Sequence, residues 1–353
     1  MNKPAGRRIA IVMMSALGDA VHVLPLVNAL KRHEPRCQIT WILQPGPASL
    51  MRGHPGVDEI VVFEKSKGWR ALMDMRQAFA DRRFDLVLAL QVYFKAGLVT
   101  AMLRADEKLG FDRARARDLN WLFTTRRIPP HAPQHVQDQY FEFLTALGIP
   151  FEPPTWDLGP WPAERARQKE LLVGLDRPAV SLVIGASHPQ KDWIPERWAE
   201  LAGALRSDFG LEPVLAGGRS ARELETERVI TAKLGRAPRS TLGVPLRDLI
   251  AWLDGSALVV SLDTGPLHMA VALDRPVISL MGYNNPKRVG PYRKFHDLLV
   301  DAYGDPGEDY PVTIAHRFDR MPRITVRDVL DRVEIWSKRY RAAGPPSGGA
   351  LLR

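Results

Sequence analysis

A single cysteine, Cys37, occurs in 353 residues, so no intramolecular disulfide and no cysteine-based metal site can form, which fits a reducing compartment. Cys37 stands just before an apolar run and is expected as a buried or half-buried thiol rather than a nucleophile. No stretch of about twenty apolar residues occurs, so no membrane-spanning helix is expected. The opening MNKPAGRRIAIVMM has basic and apolar parts, but Ser15, Gly18 and Asp19 end the apolar run too soon for a signal peptide. The chain is therefore read as cytoplasmic. Also missing are a GxxxxGK[ST] loop, a GxGxxG after the first strand and an HExxH. The net charge of +9 favours anionic partners, but no block of five basic residues and no zinc-finger or helix-turn-helix pattern points to nucleic acid.

What is present is a globular composition, 45% hydrophobic and 25% charged, long enough for two domains. Apolar strand-like runs at 7–14, 37–43, 59–63 and 84–90 alternate with helical patterns at 19–33, 69–83 and 135–148. Asp19 is the expected N-cap of the helix 19–33, and Pro25 its expected kink. The stretch 104–127 is basic and irregular, with Arg104, Lys108, Arg113, Arg115, Arg117, Arg126 and Arg127 among Asp106, Glu107, Asp112 and Asp118. The segment 149–167 carries five prolines and is the linker candidate. Alternation then restarts, with strands at 178–187, 213–218 and within 257–282. Helices are expected at 195–210, 220–235, 245–256 and 325–342. This is an α/β pattern with parallel sheets and crossover helices, repeated twice. Ligands are then expected at the carboxyl ends of the strands, in the cleft between the domains.

Four loops carry candidate chemistry. In SALGD (15–19), small residues Ser15 and Gly18 let the backbone approach a ligand, and Asp19 either takes a proton from an acceptor hydroxyl or merely caps the helix. In GASHPQKDWIPERW (185–198), Lys191 is a diphosphate partner or a solvated charge, while Trp193 and Pro195 read as helix entry. In SLDTGPLHMAVAL (261–273), Thr264 and Gly265 offer amides at a helix N-terminus, Asp263 a cap or ribose contact, and His268 a ligand or a core histidine. PVLAGGRSARELE (213–225) contributes Gly217, Gly218 and Glu223, and MGYNNPKRVGPYRKF (281–295) brings Lys287, Arg288 and Arg293. DTG does not signal an aspartic protease, because its setting is α/β and no second copy occurs.

Taken together, RRIAIVMMSALGDAVHVLPLVNALKR, HVQDQY, GASHPQKDWIPERWAELAGAL, PVLAGG and VSLDTGPLHMAVALDRPVISLMG resemble glycosyltransferase family nine, the ADP-heptose:lipopolysaccharide heptosyltransferases, over about residues 7–340. The resemblance implies a GT-B fold. Its N-terminal Rossmann-like domain would span 1–160 and its nucleotide-sugar domain 161–324, with a helix at 325–343 packing back on the first domain and a flexible tail at 344–353. It implies inverting transfer of heptose from ADP-heptose to lipopolysaccharide core on the cytoplasmic face of the inner membrane, without a metal or other cofactor, by a monomer. It matches Asp19 to the general base, Lys191 to the donor phosphates, Asp263, Thr264, Gly265 and His268 to the donor turn, and Glu223 to ribose, with Gly217 beside it. Ser15, Gly18, His22 and Arg113 make up the acceptor-side set. A non-catalytic sugar-nucleotide or polyanion binder on the same fold is the competing reading, and an epimerase a third.

Overall fold

The computed structural model describes residues 6–341, in two compact units divided between Leu158 and Gly159. The expected boundary at 160 lies two residues further along. The tail 344–353 lies outside the described residues.

The first unit runs β1 (Arg8–Val12), α1 (Leu17–His33), β2 (Gln38–Leu43), α2 (Pro45–Met51), β3 (Glu59–Val62), α3 (Trp69–Ala78), β4 (Arg83–Ala89), α4 (Phe94–Met102), β5 (Arg104–Gly110), β6 (Arg126–Arg127) and α5 (Val136–Leu147). Its sheet has the order β3-β2-β1-β4-β5-β6, all parallel. The second unit runs α6 (Pro162–Leu172), β7 (Ala179–Val183), α7 (Pro195–Ser207), β8 (Glu212–Gly217), α8 (Ala221–Leu234), β9 (Arg239–Leu242), α9 (Leu246–Gly255), β10 (Leu258–Leu262), α10 (Gly265–Ala272), β11 (Val277–Met281), α11 (Pro286–Val289), β12 (Leu299–Asp301) and α12 (Val326–Arg339). Its sheet order, β12-β11-β10-β7-β8-β9, is the same arrangement repeated. The strand order of each sheet therefore reverses once, between β1 and β4 in the first unit and between β7 and β10 in the second. At such a point neighbouring helices leave on opposite faces, and a crevice opens beyond the strand ends.

The central strands form because their residues are apolar on both sides: Ile9, Ala10, Ile11 and Val12 of β1 are fully buried, as are Leu258, Val259, Val260 and Leu262 of β10. The strand β5 was not expected, since RADEKLG reads as polar. It lies next to the two-residue edge strand β6, and Lys108 Nζ donates to the carbonyls of Thr100 (2.9 Å) and Ala101 (3.3 Å) at the end of α4. Burial lowers the Lys108 pKa. Cys37 is buried, as expected, and burial raises its pKa.

Two expectations change in the region of the proposed linker and at the carboxyl end. Residues 149–158 pack on the first unit, with the Thr155 carbonyl accepting from Asn28 (2.7 Å) and that of Trp156 bonded to His54 (3.1 Å). Residues 162–167 already belong to α6, because Pro162 is a suitable first helical residue and Glu164 accepts from the Trp161 N–H at 2.7 Å. The helix α12, expected on the first domain, instead places Val326, Val329, Val333 and Trp336 in the core of the second unit, and Trp336 donates to the Ala257 carbonyl at 3.2 Å. An apolar stripe buries itself against the nearest open core, here that of its own unit.

Candidate active site

In the first unit the turn after β1 faces the turn after β4 across the reversal point. Gln91 anchors it: its Oε1 accepts from the Met14 N–H (2.9 Å) and its Nε2 donates to the Ser15 carbonyl (2.6 Å). The helix α1 begins at Leu17, with Ala16 rather than Asp19 as N-cap. Asp19 is the third helical residue and its carboxylate accepts from the Ala16 N–H at 3.0 Å. This capping geometry aims the half-buried carboxylate back toward the turn, so the structural and chemical readings of Asp19 coexist. A cavity of about 480 Å³ opens beside the turn, lined by residues including Ser15, Gln44, Lys65, Gln91, Tyr93 and Lys95. Two lysines and two amides around Ser15 suit an acceptor that is both hydroxylated and anionic.

The other three acceptor-side candidates, Gly18, His22 and Arg113, do not line this cavity. His22 is 3% exposed, and its Nδ1 bonds to Gln137 Oε1 at 3.1 Å, tying α1 to α5. One turn into a buried helix, an imidazole faces core. Arg113 stacks its guanidinium over Trp121 at 3.9 Å. Of the other arginines in that stretch, Arg115 is held by Asp112 and by Glu142 (2.6 Å) and serves the fold. Sequence reasoning missed Gln91, although it directly follows the apolar run of β4, where a switch-point residue belongs.

In the second unit the corresponding reversal point gathers Lys191 and the 263–265 turn. Lys191 Nζ lies 2.8 Å from Asp263 Oδ2 and donates to the Asp263 carbonyl at 3.3 Å. Both side chains are largely buried, at 15% and 9% exposure. A solvated surface lysine is thereby ruled out. Thr264 is the N-cap of α10 and Gly265 its first residue, so the Gly265 N–H opens the helix, while Pro266 has none and that of Leu267 goes to the Thr264 carbonyl at 3.0 Å. His268 lies one turn in and is buried. Asp192, next to Lys191, accepts from the Ala186 N–H (3.1 Å) and from Arg222, pinning the loop; burial raises its carboxyl pKa while Arg222 opposes that. Trp193 donates to the Ile324 carbonyl at 2.9 Å and Pro195 starts α7, both structural as expected. Lys287 is engaged by Asp309 (2.6 Å) and the Tyr310 carbonyl (2.8 Å).

Glu223 is buried beneath the glycines that end β7 and β8. Its Oε1 accepts from the Gly218 N–H (2.6 Å), and its Oε2 accepts from both the N–H (2.8 Å) and hydroxyl (2.6 Å) of Ser220. Its carboxylate thus organises the loop that carries Gly217. A Cβ on Gly185 would lie 2.2 Å from Glu223 Cγ, and Gly217 has φ of +146°. Gly185→Ala should therefore displace Glu223 from its bonds and destabilise the protein by about 2 kcal/mol, read as a lowered urea midpoint at unchanged slope. A midpoint equal to wild type would show that Glu223 yields without cost.

Two units of Rossmann order, with a carboxylate turn at one switch point and a lysine beside a helix start at the other, are the arrangement of the GT-B class of glycosyltransferases. The family model for glycosyltransferase family 9 (heptosyltransferase) matches residues 72–304, and the chain belongs to that family. It is 28% identical over 340 residues to the lipopolysaccharide core heptosyltransferase OpsX of Haemophilus influenzae, covering 94% of this chain and 97% of the relative. It is 30% identical over 320 residues to lipopolysaccharide heptosyltransferase 1 of Pseudomonas aeruginosa, covering 86% and 84%. Among solved structures, the E. coli heptosyltransferase WaaC with ADP has the same fold at a TM-score of 0.75 and 24% identity, covering 93% of this chain and 99% of that one. No described helix is long and apolar enough to cross a membrane.

Proposed function

We propose that this glycosyltransferase moves heptose from ADP-heptose to a hydroxyl of the lipopolysaccharide core, with inversion, at the inner face of the inner membrane. The observation that carries the reading is the pairing of Lys191 with Asp263 at the switch point of the second unit, beside the amides that open α10. A buried ammonium and helix-start amides together stabilise a diphosphate. A similar heptosyltransferase that binds ADP and a relative that acts on lipopolysaccharide core support the donor and the acceptor.

In the chemistry we assign, Asp19 accepts the proton of the acceptor hydroxyl as its oxygen bonds to the anomeric carbon. The bond from that carbon to the diphosphate oxygen breaks on the opposite side, and the departing ADP takes the electron pair. Lys191 and the 264–265 amides stabilise the charge that develops on it, with no metal and no further cofactor in the scheme. Glu223 orders the Gly217–Ser220 loop against which the nucleoside rests. Lys65 and Lys95 meet acidic groups of the acceptor. The protein acts as a monomer.

The test is incubation of the purified chain with ADP-heptose and a heptose-deficient lipopolysaccharide core, following ADP release and the mass of the core. Both should appear together. ADP binding without any transfer would replace this reading with that of a nucleotide-binding protein.

A further inference from the structure

Behind the Lys191–Asp263 pair the second unit holds polar and aromatic groups that the proposed chemistry does not use. Asn284, in the loop after β11, donates its Nδ2–H to Asp263 Oδ2, the same oxygen that faces Lys191. The Asn284 Oδ1 lies 2.7 Å from His316 Nδ1. Because Asp263 fixes the amide with its nitrogen inward, Oδ1 can only accept, so His316 carries its proton on Nδ1. Burial lowers the His316 pKa, with Lys191, Arg288 and His188 acting in the same direction and Asp263 against them. The shift favours the neutral ring, and the donor role needs no added charge.

The same rings are stacked. His316 lies parallel to Tyr283 at 4.6 Å and 7°, and Tyr283 lies against His188 at 5.0 Å and 17°, with Phe318 edge-on at 5.6 Å. His188 belongs to the loop of Lys191, and its carbonyl accepts the Lys191 N–H at 3.0 Å. Four separate chain segments therefore meet in one assembly: the loops after β7, β10 and β11, and the segment that carries His316. An isolated carboxylate holding a lysine has freedom to rotate. Here each carboxylate, amide and ring has its orientation set by the next.

We infer that Asn284 and His316 are positioning residues, which fix the Asp263 carboxylate and through it hold Lys191 where a nucleoside diphosphate binds. The inference rests on Lys191 as the donor-binding lysine and extends that reading to residues that touch no substrate. Their contribution is then to affinity for the diphosphate, and it exists only while Lys191 is present.

The experiment is a double-mutant cycle on the full chain, with ADP as the probe and calorimetric titration as the readout. His316→Ala should weaken ADP binding about tenfold and raise the donor KM more than it lowers kcat. His316→Asn, which places an amide N–H where Nδ1–H stands, should restore most of the affinity. In the Lys191→Ala background, His316→Ala should change ADP affinity by less than about twofold. Asn284→Ala should repeat the pattern, and it serves in place of His316→Ala if that variant fails to fold. Wild-type ADP affinity in both variants overturns the inference, as does the same fold-loss with and without Lys191. If Lys191→Ala by itself leaves ADP affinity intact, the donor assignment fails as well, which separates the two outcomes.

Discussion

Asp19→Asn should reduce kcat about a thousandfold while leaving ADP affinity within about twofold of wild type. Asparagine is isosteric, and its Oδ1 can still accept from the Ala16 N–H that Asp19 now holds at 3.0 Å. The helix start is thereby kept and only the proton acceptor is lost. A thousandfold corresponds to about 4 kcal/mol of transition-state stabilisation, in the middle of the range a positioned base supplies. Single-turnover measurement with saturating donor and acceptor separates the chemical step from product release. Turnover within about fivefold of wild type would remove Asp19 from the base role and leave it as a capping residue. Asp19→Ala is a poorer test, since it also removes the hydrogen bond to the Ala16 N–H at a cost of about 1 kcal/mol.

The second large effect is expected at Lys191. Lys191→Ala removes the one cation facing Asp263 among the described contacts, and leaves a carboxylate of 9% exposure with only Asn284 to answer it. Both the lost attraction and the bare negative charge oppose a diphosphate. Donor kcat/KM should fall about a hundredfold or more, with ADP affinity falling in parallel. Lys191→Arg should recover little, because a planar guanidinium cannot take the place of a compact ammonium beside Asp263. If the ADP dissociation constant of Lys191→Ala matched wild type, the phosphate assignment would be withdrawn and the pair would stand as a structural salt bridge.

These two residues also show what was readable before any coordinates. SALGD and DTG-P-L-H each join an apolar strand run to a helical pattern, and that junction is where a parallel sheet presents its ligand loops. Lys191 was less clear in isolation, since a lysine before a helix is most often solvated. Its burial against Asp263, 72 residues along, decides the matter. His22 shows the opposite case. It lies three residues after Asp19, yet the helical turn carries it into the core against Gln137. Arg113 was drawn in by charge alone, and its guanidinium lies over Trp121. The strand β5 escaped notice because seven residues with four charges carry no apolar signal, and its pairing with β4 is specified by backbone hydrogen bonds instead.

The central strands, several of the helices, the two α/β halves and the loops bearing Asp19, Lys191 and Asp263 followed from the linear pattern, because strand burial and helix periodicity are local properties of a chain. The partnership of Gln91 with Ser15, the loop-forming bonds of Glu223, the seating of α12 in the second unit and the line from Lys191 to His316 did not. Each joins residues far apart in sequence, and only the closing of the sheets brings such residues within hydrogen-bonding or packing distance.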